Sequence, residues 1–175
     1  MAVSTSACLD APLNVVKEYV AEQNNSSFLP ISVLKSGQFL AIPENCRGGL
    51  IVEKKFYADL VGPGAAVGAF FDSHCTNIYL VGQVRLWAPT TYFDQQQAFR
   101  KRMACNRRLQ TISHEPSSMV RAHEMLMLLY QWLGAEEAAA IPSEWVARLA
   151  GVLPKTVDLV KSMLHSRTIS ALKLL

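Results

Sequence analysis

No run of apolar residues in this sequence is long enough to cross a bilayer. The longest, Met125 to Tyr130 and on to Leu133, is broken by Gln131, and a spanning helix needs roughly 20 residues. The start, "MAVSTSACLDAPLNVV", carries no basic segment ahead of an apolar one, so no signal peptide is expected. Cysteine is sparse and scattered: Cys8, Cys46, Cys75 and Cys105 form no C-x-x-C pair. That argues against a zinc ribbon, a redox dithiol or an iron–sulfur centre, and for reduced thiols in a cytoplasmic protein. The sequence also lacks G-x-S-x-G, a Walker loop, paired carboxylates and a nucleophile beside a base, so neither an enzyme nor a cofactor is expected. His74 and Cys75 adjoin without further ligands, and His114, His123 and His165 show no ligand spacing. No metal site is expected.

What is present is a large apolar fraction, half of 175 residues, enough to bury a core without metal or disulfide help. The net charge of +3 is unevenly placed: residues 1–93 hold six basic against seven acidic residues, and residues 94–175 hold eleven against seven. A polyanion is therefore expected to meet the carboxy-terminal half. Asp10 can cap a first helix, with Leu13, Val16, Tyr19 and Val20 on one apolar stripe, ended by "NNSS". Then come short β-type runs, "QFLAI", "GLIVE", "FYADLV", "AVGAFF", "NIYLV" and "VRLW", separated by Pro43, Gly48-Gly49, "GPG" and "DSH". Many short strands between regular turns predict a small antiparallel barrel or roll.

From "TTYFDQQQAFRKRMACNRRLQTIS" the pattern becomes helical and, after Asp94, free of acid, with Arg100, Lys101, Arg102, Arg107 and Arg108 close together. These are read as a solvated outer face around a dimer seam that includes Phe99, Met103 and Leu109, the alternative being a surface for nucleic acid or an acidic partner. After Pro116, "SSMVRAHEMLMLLYQWLG" predicts a buried helix capped by Ser117 or Ser118 and closed by Gly134. "AEEAAAI" is a linker or a further helical turn, and the tail "TISALKLL" alternates as a short strand or hairpin would.

"PSEWVARLAGVLPKTVDLVKSML" has the residues a helix-turn-helix needs on its inside. Ala147 is small where the helices cross, Gly151 can take positive φ, and Val146, Ala150, Val152, Val157 and Val160 are apolar at the right spacing. An ordinary helical hairpin shares that pattern. The outer face differs, because Leu153, Pro154 and Leu159 stand where base-reading residues usually sit. Arg148, Lys155, Thr156 and Lys161 remain able to touch phosphates, and Leu159 a thymine methyl. Double-stranded DNA is the expected partner, bound with weak or relaxed sequence specificity.

The whole layout resembles the Crp/Fnr family of bacterial transcription regulators. "GPGAAVGAF" looks like the family's "pGdxfGE" loop, "NIYLVGQVRLWAPTTYF" like its last roll strands, and "NRRLQTIS" like the middle of its dimerisation helix. The resemblance implies an α+β chain: a short helix and a cyclic-nucleotide-binding-like β-roll over residues 1–91, a dimerisation helix over 92–115, and a winged helix-turn-helix over 116–175. It implies a homodimeric transcription regulator. The family's ribose-binding Glu is replaced by Ala69 after Gly68, and no Arg follows in "VGAFFDSHCTN". A buried phosphate without a cation is costly, so cyclic-nucleotide binding is not expected. The alternative is a protein-interaction adaptor on the same scaffold, without DNA binding.

Overall fold

A computed structural model describes residues 19–21 and 31–172, with side chains described from 31 to 165. The fold is α+β, and among the described residues seven strands precede a run of five helices. The strands are β1 (Tyr19–Ala21), β2 (Phe39–Ala41), β3 (Gly48–Glu53), β4 (Ala58–Val61), β5 (Ala66–Gly68), β6 (Asn77–Gly82) and β7 (Val84–Leu86). Two short helices lie among them, α1 (Ile31–Lys35) and α2 (Ala69–Asp72). Then follow α3 (Tyr92–Ser113), α4 (Ser118–Leu133), α5 (Ala135–Ala140), α6 (Ser143–Ala150) and α7 (Pro154–Leu172). No helix among the described residues is long and apolar enough to cross a membrane.

Every strand pairing among the described residues is antiparallel: β4–β3–β6 form one sheet, β2 pairs with β5, and β1 with β7. Ala41 bridges to Trp87, joining the two small pairs. The three-stranded sheet is covered on both faces, which is why "GLIVE" is continuously apolar instead of alternating. Leu50 and Val52 of β3 point into the interior of the strand region with Val61 and Leu80, whereas Ile51, Leu60, Val81 and Tyr79 point the other way, onto the helices. One apolar cluster therefore runs from the outer face of this sheet through Leu109 and Ile112 of α3 and Leu126 and Leu129 of α4 to Val157 and Val160 of α7.

Helix ends follow local chemistry. Thr91 accepts the Asp94 N–H at 3.1 Å to start α3, and Ser117 accepts that of Val120 at 3.4 Å to start α4, each satisfying a donor the helix leaves open. Gly134 closes α4 with φ 89°. Three expectations are corrected. Tyr19 and Val20 belong to strand β1, opposite Leu86 and Arg85, not to a helical stripe; the rest of that expected helix, like Cys8, lies outside the described residues. "AVGAFF" is strand only to Gly68 and then turns into α2. The tail is helical to Leu172 in place of a strand or hairpin, because residues 161–175 contain no Gly, Pro, Asn or Asp to reverse the chain.

Candidate functional site

The α6–α7 pair packs as its inner residues require. Val146, Ala147, Ala150, Val157 and Val160 are buried. Gly151 takes the left-handed conformation at φ 62°, ψ 44°, and donates its N–H to Ala147 O. Arg121 of α4 holds this turn from outside: its Nε and Nη2 donate to the carbonyls of Ala150 and Gly151 at 3.1 and 3.2 Å, and its Nη1 to those of Glu115 and Pro116 at 2.7 and 3.2 Å. A guanidinium thus supplies donors to the open carbonyls at the end of α6 and ties them to the α3–α4 joint.

The five residues expected to touch DNA divide into two groups. Lys155 and Leu159 are exposed at the amino-terminal half of α7, with Thr156 half-buried beside them. Arg148 instead pairs with Glu53 at the end of β3, Nη1 to Oε1 at 2.6 Å. Lys161 turns back to the end of α5, donating to Ile141 O at 2.5 Å and Ala139 O at 3.2 Å. Burial lowers the Lys161 pKa, with the Asp158 and Glu144 carboxylates opposing that shift. The outer face of this region mixes apolar and polar side chains: Leu153 is 71%, Leu159 52% and Met163 48% exposed, beside exposed Lys155, Asp158 and Ser162. Met163 also lines a groove of about 220 Å³ between α4 and α7, with Met119, Val120 and His123 opposite.

Beside the Gly68 turn the chain places a buried carboxylate of its own. Asp72, fully buried, accepts the Gly68 N–H at 2.8 Å and faces Arg102 of α3, Oδ1 to Nη2 at 2.9 Å. The same Nη2 reaches Asp59 of β4 at 2.9 Å, and Lys54 closes the set, 2.6 Å from Asp59 and 3.9 Å from Asp72. Two cations and two carboxylates balance, as buried charges must. The Arg102 guanidinium also lies over the Phe71 ring at 5.4 Å. Gly68 has φ 76°, and a Cβ there would stand 2.6 Å from Gln38 O, so no other residue fits this close approach.

Arg102 corrects the reading of the basic run as an outer face, because it is the largest fully buried side chain among the described residues. The inner stripe of α3 is Ala98, Arg102, Leu109 and Ile112. Of the expected dimer residues, Leu109 is only 8% exposed, within the chain's own core, whereas Met103 is half-buried and Phe99 is exposed, its ring 5.7 Å from Phe71. Asp72, in the "DSH" segment that separates two of the β-type runs, is buried as well. Among the described residues, no group of three His, Cys, Asp or Glu could hold a metal ion. No known family model matches this chain, and neither does any curated protein or solved structure.

Proposed function

We propose that this chain is a protein-interaction adaptor on a Crp/Fnr-like plan, with the outer face of α7 and the α4–α7 groove receiving an amphipathic helix of a partner protein. One observation carries this: Arg148 and Lys161 are spent on Glu53 and on the α5 carbonyls, while Leu153, Leu159 and Met163 stand in solvent. Lys161, turned inward, is lost as a phosphate contact, and Arg148, still half-exposed, must leave Glu53 to make one, so the counterion-release gain that drives binding to duplexes is reduced. Exposed leucine beside a methionine-lined groove is the chemistry that accepts the apolar face of a helix. The order of strands, long helix and helix-turn-helix supports the family plan, and Asp72 at the Gly68 amide supports a roll without a cyclic nucleotide.

A second reading, a DNA-binding regulator of relaxed specificity, is favoured by Lys155, exposed at the start of α7 just beyond the Gly151 turn. It would act as a homodimer through the exposed side of α3, where Phe99 and Met103 remain available. One experiment weighs both. A photo-crosslinking residue at Leu159 is expected to join a protein in cells, through a helical peptide identified by mass spectrometry, and Met163→Glu is expected to abolish that adduct. In parallel, filter binding is expected to show weak association, equal on selected and scrambled duplexes, which Lys155→Ala lowers by one factor on both. A selected duplex preferred by about a thousandfold overturns the adaptor reading.

A further inference from the structure

A cleft of about 500 Å³ opens between α3, the carboxy-terminal part of α4 and the β4–β5 turn, within the size range of small-molecule sites. Its floor is apolar, with Leu60 from the sheet, Leu128 from α4 and the Trp132 ring. Its rim is cationic, with Lys101 and Arg108 both exposed on α3. No carboxylate among the described residues lines it. Glu44 reaches Lys101 at 3.5 Å from outside, a pair open to solvent on both sides and therefore weak. Among the described residues Arg108 has no carboxylate partner.

We propose that this cleft binds an elongated apolar monocarboxylate, its hydrocarbon against Leu128 and Trp132 and its carboxylate at Arg108. The floor rewards removal of hydrocarbon from water, and a guanidinium can hold a carboxylate through two parallel hydrogen bonds. The rim repels a cationic head group and gives an uncharged one no ion pair. Because the cleft's walls come from the sheet, α3 and α4, an occupant bridges three elements and stabilises the folded chain by linkage. The site is separate from the α7 face and does not depend on what that face binds.

Cys105 lines the cleft, is half-buried and carries a free thiol, so it reports occupancy locally. The test measures the rate of iodoacetamide alkylation at Cys105, resolved by peptide mass mapping, together with the melting temperature. Decanoate, decanol and decylamine are compared below their micellar concentrations. Decanoate is expected to slow alkylation and raise the melting temperature, decanol to do so weakly, and decylamine not at all. Arg108→Gln is expected to weaken decanoate about fivefold, the upper end for an exposed ion pair, while Arg107→Gln, outside the cleft, leaves it unchanged. Alkylation indifferent to decanoate, equal protection by decylamine, or an Arg108→Gln variant that responds like the parent would each overturn the proposal.

Discussion

Arg102, Arg121, Arg148 and Lys161 spend their donors on Asp59 and Asp72, on the carbonyls around Gly151, on Glu53, and on the end of α5. The basic surplus of the carboxy-terminal half is thus partly internal wiring, which total charge cannot reveal. Replacing Arg102 by Met leaves Asp59 and Asp72 with only Lys54 between them, and breaking a buried ion pair costs about 3–5 kcal/mol. Urea unfolding is expected to show that loss for Arg102→Met, while Arg100→Met, on the exposed side of the same helix, stays within about 0.5 kcal/mol. Equal effects would contradict the assignment. A sequence signal did exist: Ala98, Arg102, Cys105, Leu109 and Ile112 recur at alternating spacings of four and three. Treating an arginine as necessarily outward moved the stripe by one residue, onto Phe99 and Met103.

At the scale of elements, the strands were legible because turn residues bracket them, and the core of β3 because both its faces are covered. The α6–α7 pair was legible because two helices that cross at a tight turn restrict residue size and backbone angle at named positions. Gly151 tests that restriction directly. It holds φ 62°, and a Cβ added there would meet nothing within 4 Å, so substitution meets conformational strain and no collision. Gly151→Ala is expected to cost about 1–2 kcal/mol, and Gly151→Asn less, because Asn tolerates the left-handed region. Thermal melts of the two variants check the order, and an Ala variant at least as stable as Asn would refute it. Periodicity misled at both ends: Tyr19 and Val20 form strand because β7 offers an open edge to pair with, and α7 continues because nothing in the tail turns it.

For the whole molecule, the decisive feature is the single cluster that joins the outer face of the β4–β3–β6 sheet to α3, α4, α6 and α7. Tyr79 of β6 and Trp145 of α6 meet across it with ring centroids 5.3 Å apart, and Arg148 and Glu53 close its edge. Removing residues 116–175 would expose Ile51, Leu60, Val81 and Leu109 to water. A chain ending at residue 115 is therefore expected to lose cooperative unfolding, and in the intact chain tryptophan fluorescence and far-ultraviolet circular dichroism should melt together. Two separated transitions would show that strand and helix regions fold independently.

The sequence alone determined the mixed α+β class, most strand positions, the ends of α4, and the inner face of the α6–α7 pair, since each depends on local spacing, turn chemistry or a backbone angle. Tertiary structure decided which charges are inside and which cations remain free. Asp72, Asp59, Lys54 and Arg102 stand as many as 48 positions apart in the chain, and their placement in one buried cluster depends on long-range packing that carries no local period. The same packing commits Arg148 and Lys161 to the chain itself and leaves Leu159 and Met163 facing solvent, because a side chain's partner is set by what the fold brings within reach.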